Sequence, residues 1–430
     1  MAPYLCSECN RNWNEFYEWC KPCNSKHFQN DFDKWTSGNT TIDKIIQETQ
    51  INAIDEYRVI EWIPYDRLKD IKEIAKGGFG TIYKAKWVYG RIKRWDVGIQ
   101  QWERWSQRDV ALKKFDTNFT SLNGDFLNEI AIHLKARSAF TSIRIYGITQ
   151  DSETNEYILV LKYMNGGNLR NYLKNNFNNI SWNKKLIYLQ QLAYHFSNIH
   201  ELNIIHHDFH PGNILSYNFE NSDETRISDF GLSKLIIRDV KNPEKRQIFG
   251  VLPYIAPEVL SGEEYTKAAD VYSFGIIAYE MVTGFAPYYD IPHDRDLARQ
   301  ICNGLRPKIP FHFPKLITRI IMRCWDARVT HRPTFSELCH ELAKYYRNYF
   351  YYDNENSEKL SKNLGLTNST TTTPMNYKTH PEAIYTSRLL NYSSLPKPKN
   401  DKNFEKELEE LTKFTSALSV VASELYVPNF

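Results

Sequence analysis

The feature that most constrains the fold of this chain is a series of six short motifs between residues 71 and 258. The first motif, at residues 71–83, reads IKEIAKGGFGTIY, in which two alternating apolar segments flank a glycine-rich turn. This pattern predicts a strand, a loop and a second strand. Because glycine has no Cβ, the backbone N–H groups of such a loop can approach phosphate oxygens closely. A glycine-rich hairpin alone is common, so a phosphate site needs support from the motifs that follow.

Each of the later motifs sets a charged or polar group beside an apolar run. Residues 110–113 read VALK, a strand that ends in a lysine, and residues 126–134 predict a helical face that contains Glu129. A lysine that leaves a buried strand needs a counter-charge, and Glu129 is the obvious candidate. Three further motifs read HHDFHPGN at 206–213, DFG at 229–231 and APE at 256–258.

In order and spacing, these motifs resemble those of the eukaryotic protein kinase family. The resemblance covers residues 68–348. It is closest to the tyrosine-kinase-like branch, and in particular to an expanded set of fungal kinases with a cysteine module before the catalytic domain. It implies an α+β, bilobal fold with a small β-rich N-lobe, one key helix in that lobe, and a larger α-helical C-lobe.

The resemblance implies that five residues transfer the γ-phosphate of ATP to protein hydroxyl groups. Lys113, oriented by Glu129, holds the α- and β-phosphates. Asn213 and Asp229 bind Mg²⁺, a hard cation that suits oxygen ligands. Asp208 accepts or orients the proton of the attacking hydroxyl. These roles fit phosphoryl transfer because catalysis there is mainly positioning and neutralisation of charge.

The same resemblance implies an ATP site. Its cofactor-binding residues are Ile74, Gly77, Gly78, Gly80, Ile82, Ala111, Lys113, Leu161, Lys162, Tyr163, Met164, Leu215 and Asp229. The glycines cover the phosphates, Leu161 takes the gatekeeper position, and residues 162–164 form the hinge that binds the adenine edge. Outside this site, we expect an ion pair between Glu258 and Arg332, and contacts from Asp270 to the backbone of the catalytic loop. Trp325 is expected in the core.

Four positions depart from the family pattern. Ala75 stands at the first position of the glycine motif, His207 replaces an arginine, His210 replaces the lysine of serine/threonine kinases, and Val251 replaces a threonine. A histidine cannot match the fixed, always-charged fork of arginine. We therefore expect activity without phosphorylation of the activation loop. Serine/threonine acceptors are favoured over tyrosine, in a signal-transduction role. The alternative is a nucleotide-binding pseudokinase or scaffold, recruited through its N-terminal module.

Four of the seven cysteines lie within the first 23 residues. Cys6 and Cys9 form one CxxC pair, and Cys20 and Cys23 form a second pair ten residues further on. Four thiolates suit a tetrahedral structural Zn²⁺ ion, so we predict a four-cysteine, zinc-ribbon-like module over residues 1–30. Four free thiols in a flexible N-terminus and a rubredoxin-like iron site are the alternatives.

Two segments next to the predicted kinase domain carry weaker signals. Residues 31–67 predict a helical linker. Residues 86–107 form an unusually long connection between two strands, with four tryptophans. Helical spacing would place Trp95, Ile99 and Trp102 on one face. This insertion either binds a protein partner or folds back on the N-lobe.

Residues 349–430 form a low-complexity tail, rich in polar residues, that we expect to be mostly disordered. Within it, Phe404, Leu408, Leu411 and Leu418 recur at helical spacing. They predict an amphipathic helix over 403–421, which either docks on the core or a partner or forms only transiently.

Composition bounds the partners and the location. Lys and Arg total 54 against 51 Asp and Glu, so the net charge of +3 gives no argument for nucleic acid or an anionic membrane. ATP and protein substrates are the expected partners. Neither a signal peptide nor a membrane-spanning run is visible. We expect a cytoplasmic protein, with the nucleus as an alternative, where thiols stay reduced.

Overall fold

A computed structural model describes residues 5–11, 13, 18–78, 80–115, 124–137, 141–220, 224–235, 248–310, 313–350, 377–392 and 394–424. The chain divides into two compact units. The first comprises residues 1–126 and 143–164, and the second comprises residues 127–142 and 165–430.

The first unit is built around a mixed β-sheet. Its elements in chain order are α1 (Lys21–Gln29), α2 (Thr40–Asn52), β1 (Glu61–Trp62), β2 (Leu68–Gly77), β3 (Gly80–Trp87), β4 (Ile92–Asp96), β5 (Gln101–Arg104), β6 (Arg108–Lys114), β7 (Ile145–Gln150) and β8 (Tyr157–Lys162). The helix α3 (Gly124–Arg137) begins in this unit and continues into the second. The strand order in the six-stranded sheet is β1-β7-β8-β6-β3-β2, with β4 and β5 in a separate hairpin.

Alternating side chains build the core under this sheet. Val110 and Leu112 on β6 are buried together with Ala85 on β3 and Val160 on β8. Residues two apart on a strand share a face, so the apolar alternation of these strands covers one side of the sheet. The predicted VALK strand is therefore confirmed as β6, at the centre of the sheet.

The segment at 31–67, which we expected to be a helical linker, also contributes a strand to the sheet. Asn39 caps α2 by accepting from the backbone N–H groups of Thr41 and Ile42. After that helix, β1 pairs in parallel with β7. A Cβ at Gly147 would lie 2.1 Å from the carbonyl oxygen of Glu61, so only glycine allows this close approach. The sheet therefore begins before residue 68.

The 86–107 insertion is a β-hairpin, and the predicted helical face is wrong. Strands β4 and β5 pair antiparallel with Trp95 opposite Trp102. The Asp96 carboxylate accepts from the backbone N–H groups of Gly98 and Ile99, which closes the turn. Of the two interpretations of the insertion, folding back within the N-terminal unit is the one that the structure shows.

The second unit is mainly helical. Its elements after α3 are α4 (Leu169–Asn176), α5 (Trp182–Glu201), β9 (Ile204–Ile205), β10 (Ile214–Ser216), β11 (Thr225–Ile227), β12 (Lys234–Leu235), β13 (Ile248–Gly250), α6 (Pro257–Leu260), α7 (Lys267–Thr283), α8 (Arg295–Cys302), α9 (Lys315–Cys324), α10 (Phe335–Phe350), β14 (Arg388–Leu390) and α11 (Phe404–Glu424). The short strands pair as β9 with β12, β10 with β11 and β13 with β14.

The centre of this unit is α7, whose side chains from Ala269 to Thr283 are all buried. A helix buried on all sides must be covered by neighbouring elements, and α7 is packed among helices such as α5 and α9. Together the β-rich and helical units confirm the predicted α+β fold. None of the described helices is long and apolar enough to cross a membrane.

The described part of the C-terminal tail packs on the second unit. Strand β14 pairs with β13, and Phe404 at the start of α11 is buried in the core. Leu408 and Leu411 on α11 pack against the same core, while the side chain of Leu418 lies outside the described residues.

Candidate functional site

The catalytic loop follows β9 and is held in place by one buried carboxylate. Asp270 on α7 accepts from the backbone N–H groups of His206 and His207, at 3.0 and 3.3 Å, and from Nε2 of His200 at 2.9 Å. Burial alone would raise the pKa of Asp270, but the His200 hydrogen bond and the nearby His206 hold it below its ordinary value. The predicted contact between Asp270 and the loop backbone is thus confirmed.

The backbone of the loop then turns sharply at His207, which has a φ of 69°. This left-handed conformation is uncommon for a residue with a Cβ. The His207 ring stacks on Tyr265, with the ring centroids 4.4 Å apart. Where the family has an arginine, this chain therefore has a histidine that stacks on an aromatic ring.

Asp208 is buried, and three polar side chains surround its carboxylate. Nδ2 of Asn213 lies 2.9 Å from the Asp208 carbonyl oxygen and 3.4 Å from its carboxylate. Nε2 of His210 lies 3.5 Å from the carboxylate. The shortest contact comes from the C-terminal tail, where the Ser387 hydroxyl donates to Oδ2 of Asp208 at 2.6 Å.

The ring of His210 is fixed by two contacts. Its Nδ1 accepts from the backbone N–H of Gly212 at 3.0 Å, so the ring proton lies on Nε2. Nε2 in turn lies 3.2 Å from Oγ of Ser387. Ser387 therefore accepts from His210 and donates to Asp208, which defines the orientation of its hydroxyl.

The DFG segment lies against the same loop. The backbone N–H and the hydroxyl of Ser228 both donate to the carbonyl oxygen of Asn213, at 2.9 and 3.0 Å. Asp229 follows with a φ of 60°. Phe230 is fully buried, with its ring 5.1 Å from that of His206. The structure thus places the two proposed Mg²⁺ ligands on segments that are hydrogen-bonded to one another.

Glu129 lies on α3 and is fully buried. Its carboxylate is 3.5 Å from Nε2 of His133, one helical turn further along. The ring of His133 packs edge-on against Phe230 at 4.9 Å. Glu129, Asp208, Asn213 and Asp229 therefore all belong to the second unit, and Leu215 lies on its strand β10.

The remaining nucleotide-binding candidates belong to the first unit. Lys113 on β6 is 4% exposed and pairs in register with Ile82 on β3. Gly77 and Gly80 pair across the turn between β2 and β3, and a Cβ at Gly80 would lie 2.1 Å from the carbonyl oxygen of Lys114. Glycine is therefore required at position 80 for this turn to pack on β6.

The other candidates of the first unit differ in exposure. Ile74 is 46% exposed at an irregularity in the pairing of β2 with β3, whereas Leu161 and Met164 are buried. Ala111 pairs with Leu161 across β6 and β8. Strand β8 ends at Lys162, and Tyr163 follows with its ring beneath the ammonium group of Lys84, at 4.5 Å. Gly78 lies in the turn between β2 and β3.

An ion pair anchors the APE motif. Arg332 donates from Nη1 and Nη2 to the two carboxylate oxygens of Glu258, each at 2.7 Å. Both side chains are buried, and the planar fork of arginine matches the carboxylate. The predicted pair is confirmed. Trp325 is 3% exposed, which confirms its expected place in the core.

The four N-terminal cysteines form a compact cluster. Their Sγ atoms all lie within 4.8 Å of one another, with 3.8 Å between Cys6 and Cys23 and 3.6 Å between Cys9 and Cys20. These separations exclude disulfides, in which the sulfurs are about 2.05 Å apart. Four sulfurs at about 2.3 Å from a tetrahedral zinc ion would be roughly 3.8 Å apart, so the cluster fits Zn²⁺.

The protonation chemistry of the cluster also fits a cation. Burial raises the pKa of Cys20 to about 11, and burial raises that of Cys23 as well. A hydrogen bond from the backbone of Arg11 lowers the pKa of Cys9. Thiolates at the buried positions therefore need a nearby positive charge, which a divalent metal ion supplies.

The cysteine cluster rests on the tryptophan hairpin within the first unit. Trp102 stacks on Phe28 of α1 at 4.3 Å and on Trp19 at 5.9 Å, while Trp95 stacks on His27 at 3.8 Å. The insertion thus provides an aromatic platform for the module. Phe16 and Tyr17, which lie between the two cysteine pairs in the sequence, are outside the described residues.

Sequence reasoning missed Ser387 and His200. Ser387 lies in a polar tail with no motif around it, so nothing local indicates a contact with residue 208. His200 supports Asp270 from the C-terminal end of α5. Because this contact joins residues far apart in the chain, it could only be found from the fold.

Comparisons with known proteins agree with this site. Residues 68–342 match the family model described as protein tyrosine and serine/threonine kinase. The chain is 29% identical to R831 of Acanthamoeba polyphaga mimivirus, named as a serine/threonine-protein kinase/receptor, across 74% of this chain and 18% of the relative. It is also 29% identical to the serine/threonine-protein kinase roco5 of Dictyostelium discoideum, across 73% of this chain and 11% of that relative.

A third relative is the dual specificity protein kinase splA of Dictyostelium discoideum, which is 28% identical across 66% of this chain and 12% of its own length. The chain thus spans less than a fifth of the length of these three relatives. The family match, however, covers more than half of this chain and includes the six motifs in order. This chain therefore belongs to the protein tyrosine and serine/threonine kinase family.

Proposed function

We propose that this chain is an ATP-dependent protein kinase that phosphorylates serine and threonine hydroxyl groups of proteins. The observation that carries the proposal is the buried carboxylate of Asp208, which accepts a hydrogen bond from a serine hydroxyl at 2.6 Å. A general base must lie within hydrogen-bond reach of the proton that it takes up, and Asp208 meets this condition. The names of the relatives support the same activity.

In the proposed reaction, Asp208 orients the acceptor hydroxyl and takes up its proton. Asn213 holds the Asp208 backbone and, with Asp229, offers the oxygen ligands that Mg²⁺ prefers. When bound, Mg²⁺ neutralises charge on the phosphate oxygens. Lys113, the glycine turn and the hinge at 162–164 bind the nucleotide.

The length of the side chain that approaches Asp208 supports serine and threonine as acceptors. Ser387 reaches the carboxylate from a backbone that continues directly into β14, which is paired with β13. A tyrosine hydroxyl stands at the far end of a ring, so the same backbone path would carry it past the carboxylate. Serine and threonine therefore fit this approach better than tyrosine.

The histidine that replaces the family arginine supports independence from activation-loop phosphorylation. His207 stacks on Tyr265, and its backbone is held by Asp270 without a phosphate. The scaffold alternative has less support, because the groups that the chemistry needs are all present. If removal of phosphate from the activation loop alone abolished activity of the purified protein, the independence from activation-loop phosphorylation would be wrong.

We further propose that the cysteine cluster binds one structural Zn²⁺ ion. All four ligands come from cysteine and leave no position open for a substrate, so a structural role fits better than a catalytic one. The module then stabilises the aromatic platform of the hairpin. Free thiols also suit a reducing, cytoplasmic environment. We also predict that this module binds a protein partner.

Transfer of radiolabelled phosphate from Mg·ATP to a degenerate serine, threonine and tyrosine peptide library tests the kinase activity. Asp208→Asn should lower transfer by about 10²–10⁴-fold, the usual contribution of a general base. Asp296→Asn removes an exposed carboxylate on α8 and should leave transfer unchanged. Equal background from wild type and Asp208→Asn would favour the scaffold, and phosphotyrosine as the main product would overturn the acceptor class.

A further inference from the structure

The C-terminal segment at 377–392 lies along the acceptor side of the catalytic loop. Its strand β14 pairs antiparallel with β13, with Ile248 opposite Leu390 and Gly250 opposite Arg388. Ser387 comes directly before this strand. The backbone pairing therefore places one hydroxyl-bearing residue of the chain itself at the position where an acceptor must lie.

We propose that Ser387 is an autophosphorylation site, modified within the same molecule, and that its phosphorylation releases segment 377–392 from the acceptor site. This inference rests on the proposed kinase activity. Its geometric basis is the pair of contacts described above, in which Ser387 Oγ donates to Asp208 at 2.6 Å and lies 3.2 Å from Nε2 of His210. The proton that must leave an attacking hydroxyl is already directed at the base.

The position of the segment is held before Ser387 by contacts with the loop that follows α7. The Tyr377 hydroxyl accepts from the backbone N–H of Ala286 at 3.0 Å, and the backbone N–H of His380 donates to the carbonyl oxygen of Tyr289 at 2.8 Å. The Tyr385 hydroxyl donates to the carbonyl oxygen of Pro287 at 2.9 Å. These contacts extend the segment over one face of the second unit.

His293 forms a second anchor. Its backbone N–H donates to the carbonyl oxygen of Glu382, and its Nδ1 lies 2.9 Å from the carbonyl oxygen of Ile384. The Tyr385 ring packs between the His293 ring, at 4.8 Å, and the guanidinium of Arg170, at 4.6 Å. Because His293 is buried, it holds the backbone just before Ser387 firmly.

The segment is also held after Ser387. Leu390 is 4% exposed and belongs to the main core of the second unit. Further on, the backbone N–H of Lys399 donates to the carbonyl oxygen of Cys302, and Nδ2 of Asn400 donates to Asp326 at 2.8 Å. With anchors on both sides, Ser387 stays at Asp208 as part of the fold.

Segment 377–392 does not only cover the acceptor site. Ser387, the residue that contacts the general base Asp208, carries a hydroxyl that can be phosphorylated. Thr386, its neighbour, is exposed, while Ser387 is half-buried. Ser387 Oγ contacts Asp208 whereas Thr386 is exposed, so the pairing of β14 with β13 selects Ser387 over Thr386. A shift by one residue would lose both the Leu390 anchor and the Tyr385 anchor.

The chemical step balances with ATP as the phosphoryl donor. A bond forms between Ser387 Oγ and the γ-phosphorus, and the bond from that phosphorus to the bridging oxygen of ADP breaks. The hydroxyl proton passes to the carboxylate of Asp208, and ADP leaves. No oxidant or further reactant is needed.

Release of the segment follows from charge. Phosphoserine carries about −1.5 to −2 charges at neutral pH, and here it would stand beside the Asp208 carboxylate. Like charges at hydrogen-bond distance in a buried site repel strongly, and the Asp208–Ser387 hydrogen bond is lost. The modified segment then leaves the acceptor site to other protein substrates, so one intramolecular turnover would activate the enzyme.

The test uses the intact chain incubated with Mg·ATP and followed by phosphosite mapping with mass spectrometry. Phosphate should accumulate on Ser387 with a first-order rate that does not change on hundredfold dilution of the protein, because the reaction is intramolecular. Thr386→Ala should be modified as wild type is, and Ser387→Ala should carry no phosphate in segment 377–392. A rate that rises in proportion to protein concentration would overturn modification within one molecule.

Peptide phosphorylation provides the second readout. Preincubation with Mg·ATP should raise the initial rate on the degenerate library several-fold for wild type and Thr386→Ala, and should not change it for Ser387→Ala. Transfer to the library with Ser387 unmodified would overturn the inference and leave the proposed function intact. Transfer to neither the library nor Ser387 would instead overturn the proposed function.

Discussion

Two described regions near opposite ends of the chain, the cysteine cluster and segment 377–392, are both held by packing, but their positions are encoded in different ways. The N-terminal module depends on four cysteines that converge on one point, with Sγ atoms within 4.8 Å of one another. The C-terminal segment depends on many separate contacts, from Tyr377 to Phe404, spread over several elements of the second unit.

This difference explains why the cysteine cluster can be recognised from the sequence whereas the position of the C-terminal segment cannot. Structural zinc ligands come from a few residue types, here cysteine alone, and often lie in pairs at short spacing, because the metal sets their geometry. A segment that docks through scattered side-chain and backbone contacts needs no common residue type. Its composition can therefore look like that of a disordered tail while the fold gives it one place.

Among the changes that test this comparison, loss of the cysteine cluster should have the largest effect on stability. Structural zinc sites contribute about 10 kcal/mol or more in small zinc modules, so Cys6→Ser with Cys20→Ser should unfold residues 5–30. Elemental analysis should fall from one zinc per chain to none, and Cys339→Ser should keep the metal. Hydrogen exchange across 377–392 should not change. Zinc at equal stoichiometry in the double variant would refute the site.

Removal of the aromatic platform should have the next largest effect. Trp102→Ala loses the stacking on Phe28 and Trp19 and should destabilise the module by about 3 kcal/mol, near the lower limit for a tryptophan truncation. Hydrogen exchange in α1 should rise accordingly. Trp105→Ala, at a residue 39% exposed, is the matched control. An equal rise in the hydrogen exchange of α1 in both variants would show that stacking on Trp102 does not stabilise the module.

Release of the C-terminal segment should follow from truncation of its core anchor. Leu390→Ala should cost about 2–3 kcal/mol, which loosens the segment and raises kcat/KM for peptides. Leu389→Ala changes a side chain that is 38% exposed and should have little effect. Unchanged peptide kinetics in Leu390→Ala, with hydrogen exchange of 377–392 increased, would mean that the segment does not obstruct the acceptor site.

The smallest effect is expected from a single hydroxyl. Tyr385→Phe removes the hydrogen bond to the carbonyl oxygen of Pro287 but keeps the ring against Arg170. A net loss of about 1 kcal/mol should raise hydrogen exchange at 384–388 by about fivefold. Tyr194→Phe, at an exposed residue of α5, should leave exchange there unchanged. If hydrogen exchange at 384–388 did not change in Tyr385→Phe, the aromatic ring alone would anchor the segment.

Much of the candidate site was predictable because its motifs are short and follow the family order. The Glu258–Arg332 pair and the contact from Asp270 were expected from the family pattern and are confirmed. The tryptophan insertion was not, because Trp95 and Trp102 are spaced for a helix and also for a hairpin. The discriminating signal was the turn, where Asp96 and Gly98 favour a reversal of the chain.

The catalytic residue types, their order along the chain and the cysteine pairs were determined by the sequence alone, because each chemistry demands given groups at short spacing. The tertiary structure decided which distant residues meet them. Ser387 lies at Asp208 because β14 pairs with β13 and Leu390 fills the core. Such pairing depends on the summed free energy of many long-range contacts. A short stretch of sequence does not show which distant residues make those contacts.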